Sequence, residues 1–186
     1  MSMHPLVADL LPEVVEGARR SFALLVDDVP ASEVIGFALY SDADGGTVVA
    51  AAGTRATYDA LVAQHPGAVD HLRWSAQEWG RDFMTLRERG LADPLGPLQQ
   101  RLDALQDQAD DGEGLTFRQL RSSVWELCAE AMTQIHTSGW FDAYPHAVRV
   151  VEVSDHELGA EQQVGWIERC NPPAVAAEFA AYVGAR

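Results

Sequence analysis

Seven consecutive residues near the start of the chain, Val34-Ile35-Gly36-Phe37-Ala38-Leu39-Tyr40, show no alternation of polar and apolar side chains. A strand with that pattern has no face to turn to water, and it reads as a central strand covered on both sides. The next residues, Asp42-Ala43-Asp44-Gly45-Gly46, are a strong turn signal. Thr47 to Ala52 reads as the returning strand, and its small side chains imply that something packs close against it. A third, valine-rich strand is expected from Ala147 to Val153.

The remaining segments carry helical signals. From Leu6 to Asp28, Val7, Leu11, Val14, Ala18, Phe22 and Leu25 share one face. Pro12 either starts the regular helix or kinks it. Thr54 is placed to cap a helix that runs to Gln64 and ends at His65-Pro66-Gly67. Leu95, Leu98, Leu102 and Leu105 make another amphipathic helix, and Asp107 to Gly114 reads as a solvated acidic loop, the best candidate for disorder in the chain. Three segments match the capping box: Ser75 to Glu78, Thr116 to Gln119 and Ser154 to Glu157. Each has flanking apolar residues for a hydrophobic staple, Trp74 with Trp79, Leu115 with Leu120 and Val153 with Leu158. The second opens the best helix, with Phe117, Leu120, Val124, Leu127, Ala131 and Ile135 on one face and Gly139 at its end. Asn171-Pro172-Pro173 breaks the chain before a last helix to about Tyr182. Strands and helices do not alternate regularly. The expectation is a single α+β domain over residues 1–186, a small antiparallel or mixed sheet packed with several helices.

Composition narrows the chemistry. All 13 basic residues are arginine, and there is no lysine. Schiff-base, P-loop and kinase-type lysine mechanisms are therefore excluded. The formal charge of −15 should repel nucleic acid and anionic membranes and suits a basic protein partner, or simply solubility. No apolar run reaches 18 residues, and Met1 to Pro5 lacks the pattern of a signal peptide. Cys128 and Cys170 have no ligand-spaced partner and read as reduced thiols, so a cytoplasmic location is expected.

No constellation points to catalysis, a cofactor or a metal. Asp42 to Gly46 resembles the opening of a calcium loop, but Thr47 stands where its glycine should be and Gly53 where its glutamate should be. His65, Asp70 and His71 match no metal-site spacing, and His136 near a helix end suits the negative pole of the dipole. The aromatic residues are the better signal, since exposed Trp, Tyr and Arg form binding hot spots. The binding candidates are Arg73, beside Trp74, and the Trp140, Phe141 and Tyr144 loop. That loop is either a recognition surface or a helix-end contact. Tyr144 is expected to be its exposed member, because Pro145 holds the chain extended after it.

Several blocks together resemble a family. They are Phe37 to Asp42, Ala51 to Thr54, Arg73 to Trp79, Val153 to Asp155, and Asn171-Pro172-Pro173 with Val175 and Phe179. In this order they are similar to the bacterial domain-of-unknown-function family numbered four-three-zero-three, although Gly53 stands where a more polar residue is expected. The resemblance implies a stand-alone cytoplasmic protein and carries no catalytic residues. The leading expectation is a protein-binding module, of the immunity type that neutralises a basic partner by analogy of size and charge. The alternative is a small-molecule-binding protein or enzyme whose pocket gathers histidines and carboxylates near Asp42, His71 and His146.

Overall fold

The computed structural model of the protein describes residues 3–112, 114–156 and 158–185. Its centre is a three-stranded mixed sheet of order β2-β1-β3. Here β1 is Val34–Ser41, β2 is Val49–Thr54 and β3 is Val148–Val153. The apolar run does form the central strand, antiparallel to β2 and parallel to β3. Helices cover both faces. On one side Phe37 and Leu39 meet α2 (Leu11–Leu25), α6 (Gly96–Asp110) and α7 (Phe117–Thr137), in the larger core. On the other, Ala38, Ala51, Val148 and Val150 meet Trp74, Trp79, Ile167 and Phe179. The first helical segment divides into α1 (Pro5–Ala8) and α2, with Pro12 in the first turn of α2, where a missing amide costs nothing.

The small residues of β2 have a concrete use. Gly36 and Gly53 are register partners on β1 and β2, and the Trp79 indole lies across both. A Cβ at Gly36 would fall 2.5 Å from Cη2 of Trp79, and one at Gly53 would fall 3.0 Å from its ring. Any side chain at position 53 would crowd the indole, which is consistent with glycine there in place of a polar residue.

One cap and one capping box are realised as drawn from sequence. Thr54 accepts from the Thr57 amide and caps α3 (Arg55–Gln64). Thr116 and Gln119 exchange both capping bonds at the start of α7. The other two boxes do not form. Ser75 ends α4 (Val69–Trp74), and its own amide is already bonded to the His71 carbonyl, so Glu78 has no donor to reach. A 3-10 turn, Ala76–Trp79, follows instead, and α5 (Phe83–Glu88) starts from an Asp82 cap. Likewise the Ser154 amide donates to the Ser41 carbonyl and extends the sheet, while α8 (Ala160–Cys170) starts five residues later from Gly159. Glu157, the last member of that box, lies outside the described residues.

Further corrections concern burial and boundaries. Asp107 to Asp110 belong to α6 rather than to an acidic loop, and Glu113 of that segment is outside the described residues. Phe117, placed by periodicity on the core face of α7, is 39% exposed because it stands in the first turn. Cys170 is fully buried, like Cys128. Burial pushes both thiols up to about 12. The last helix, α9 (Pro173–Gly184), packs against α8.

Candidate binding cleft

The strand β3 forms an outer edge of the sheet, and its two ends are treated differently. At its start, Asn171 substitutes for a neighbouring strand. Its Oδ1 accepts the Arg149 amide at 2.9 Å and its Nδ2 donates to the Arg149 carbonyl at 2.6 Å. Asn171 follows directly on α8, so the C-terminal end of that helix is pinned to the strand. Toward the other end a cleft of about 500 Å³ lies along Val150 to Val153. Leu158, Ala160 and Gln163 line it from the start of α8, His71, Trp74 and Ser75 from α4, and Phe179, Tyr182 and Val183 from α9.

Glu152 is the central polar group of this cleft. It is the one carboxylate of the valine-rich strand, and it faces the same side of the sheet as Val148 and Val150. Burial raises its pKa, and bonds from the Ala76 amide at 2.8 Å and the Gln77 side chain at 3.3 Å hold it down. Its neighbour across the ladder, Tyr40, is pushed up to about 12 by burial and by the negative charges of Asp82 and Glu152. Around Glu152 the walls are aromatic. Trp74 and Phe179 meet edge to face with centroids 4.9 Å apart, and the His71 ring contacts the Tyr182 hydroxyl at 3.3 Å. A second depression of about 710 Å³ shares His71, Trp74 and Tyr182 and adds Asp70 and Glu178. No arginine lines either one among the described residues.

The four binding candidates from sequence separate onto the two faces of the sheet. Arg73 does not line the cleft: its guanidinium is paired with Glu178 at 2.9 Å and lies over the Trp74 ring at 5.3 Å. It joins α4 to α9 and shapes the wall. Trp140, Phe141 and Tyr144 lie on the opposite face, packed on Phe22 and Phe37. Phe141 is completely buried, and Trp140 stacks on Tyr144 with centroids 5.6 Å apart. Tyr144 is half-buried, not exposed as expected, because the 3-10 turn Trp140–Ala143 curls the chain back so that its ring meets Phe37 at 4.9 Å. His136 stands in the last turn of α7, as expected; burial and the nearby Arg149 lower its pKa, against the upward pull of Asp142.

Asp42 forms a turn, accepting from the Asp44 and Gly46 amides and the Thr47 hydroxyl. It does not join His71 or His146 in a common pocket. Sequence reasoning passed over Glu152, His156 and Tyr182. For Glu152 a signal existed, a lone carboxylate inside a strand of valines. For His156 and Tyr182 it did not, since only the approach of α9 and of the β3–α8 loop brings them to the cleft.

A three-stranded mixed sheet with helices on both faces and a carboxylate-bearing cleft at one edge defines a single-sheet α+β protein. The family model described as Domain of unknown function (DUF4303) matches residues 15–172, and the chain belongs to that family. The match stops before α9, so Phe179 and Tyr182 lie beyond it. No curated protein and no solved structure matches the chain. Among the described residues no helix is long and apolar enough to cross a membrane, and no group of three metal-ligating side chains occurs.

Proposed function

We propose that this protein is a binding module that takes a positively charged segment of a partner protein into the cleft beside β3. The observation that carries this reading is the chemistry of the walls: Glu152 on the floor, Trp74, Phe179 and Tyr182 around it, and no arginine among the lining residues. A carboxylate and aromatic faces together favour a guanidinium or ammonium group. The overall charge of −15 adds long-range attraction for a basic partner. Neutralisation of a basic toxin is one form such binding takes, and a toxin gene beside this one would point to it.

The test is calorimetric titration with short arginine-containing peptides and their glutamate counterparts at low salt. The arginine peptides bind and the glutamate peptides do not. Glu152→Gln weakens the binding by about tenfold, the worth of one charge-assisted hydrogen bond. Equal binding of both peptide sets would overturn the reading. A second reading, a small-molecule ligand, is favoured by the size of the cleft, which falls in the range of metabolite sites and places Glu152 with His71 and His156. A metabolite retained through purification and seen by native mass spectrometry would support it.

A further inference from the structure

The free edge of β3 is unused where it borders the cleft. In a parallel ladder, alternate residues turn both main-chain groups toward the same neighbour. The Arg149 amide and carbonyl point away from β1, because both bond Asn171. The Ser154 amide points toward β1, because it bonds the Ser41 carbonyl. Odd-numbered residues of β3 therefore face outward, and after Arg149 these are Val151 and Val153. Neither main chain exchanges a backbone hydrogen bond with α8, α9 or the following loop among the described residues. Both residues line the cleft, and both are at least nine-tenths buried by residue area. Main-chain groups so placed are nearly always paired, and a sheet edge left open is a template for another strand. Here α8 supplies Asn171 at one end and leaves two donors and two acceptors open at the other.

We infer that the cleft receives its partner as an extended strand, hydrogen-bonded to the outer edge of β3 at Val151 and Val153, with a basic side chain directed to Glu152. Strand addition accounts for what the cleft offers: main-chain bonds supply affinity, and a pocket for alternate side chains supplies selectivity. The occupant is a short segment, since Asn171 blocks the rail at Arg149 and the strand ends at Val153. Its positive charge follows from Glu152 in the cleft and Asp70 in the adjoining depression, Glu178 being already paired with Arg73.

This inference rests on the binding reading above, and the experiment separates the two. The probe is an acetylated, amidated pentapeptide, threonine-valine-arginine-valine-threonine. Its counterpart is N-methylated at alternate residues, which keeps every side chain but removes the donors and bars strand pairing. Calorimetry on the full chain is expected to show that the parent binds and the N-methylated form binds about tenfold or more weakly, since two or more main-chain bonds are lost. Val153→Pro, which removes an outward amide without touching the β1 ladder, gives the same loss, and its circular dichroism reports whether it is folded. Equal binding of the two peptides overturns strand addition while leaving the cleft as a site for a basic ligand. Binding of neither peptide at millimolar concentration overturns the binding reading and this inference with it.

Discussion

Replacing Gly36 by alanine tests whether the Trp79 indole is seated on the two glycines as described. The added methyl carbon would lie 2.5 Å from Cη2 and 2.9 Å from Cζ3 of Trp79. Trp79 cannot swing away cheaply, because it is 1% exposed and its Nε1 donates to the Leu72 carbonyl at 3.1 Å. Overpacking of this kind costs about 1–3 kcal/mol. At roughly 2–4 °C per kcal/mol for a chain of this size, the melting temperature falls by about 2–12 °C. Trp79→Ala alone costs more, about 3–5 kcal/mol, through the cavity it leaves. In that background the sign of Gly36→Ala reverses. With the ring gone, alanine gains the usual 0.5–1 kcal/mol or so over glycine in a strand interior. The two effects make a coupling of about 1.5–4 kcal/mol, well above what independent sites show. Chemical denaturation of the four proteins measures it. A Gly36→Ala penalty that is the same with and without Trp79 would refute the seating of the indole.

Glu152→Gln should hold or raise the melting temperature at neutral pH. Burial raises the carboxyl's pKa in the folded state, so its ionisation opposes folding as pH rises from the ordinary 4.5 through that raised value; thermal melts across this window flatten in the variant. Thr116→Ala removes a realised cap and costs about 0.5–2 kcal/mol, whereas Ser75→Ala, with no capping bond to lose, costs less than Thr116→Ala in the same denaturation assay. Asn171→Ala leaves the Arg149 amide buried without a partner and its carbonyl with only the weak Cys170 thiol donor, and destabilises by about 2–5 kcal/mol, seen as a drop in the denaturation midpoint. Native protein treated with a thiol reagent at pH 8 should react only on the timescale of unfolding, because both cysteines are buried with pKa values pushed up to about 12.

The contrast among the capping boxes shows what the sequence carried and what it did not. Three segments have the same local pattern, and only the one at Thr116 forms in full. A box requires that the capping residue's own amide be free to donate to the side chain of the fourth residue. Thr116 meets that condition, and its amide goes to Gln119. The amides of Ser75 and Ser154 are already taken, by the end of α4 and by the end of β1. Those commitments are made by residues distant from the motif or by the preceding helix, so no local reading finds them. The central strand was legible because its constraint is global: an apolar run on both faces has one place to go. The site was legible only in part. Arg73 and Phe179 were marked, the first by its tryptophan neighbours and the second by family resemblance, while Tyr182 comes to the cleft through the packing of α9 on α8. The Trp140 to Tyr144 cluster was singled out for its rings, and those rings serve the larger core beside Phe22 and Phe37.

The location of binding is the central claim, and an isotope-edited NMR titration with the arginine pentapeptide tests it most directly. The amides of residues 150–153, the Trp74 indole and the amides of residues 179–183 should shift together, with the Val151 and Val153 amides moving downfield as they gain hydrogen bonds. Shifts that gather instead around His136, Trp140 and Tyr144 on the opposite face would contradict the account.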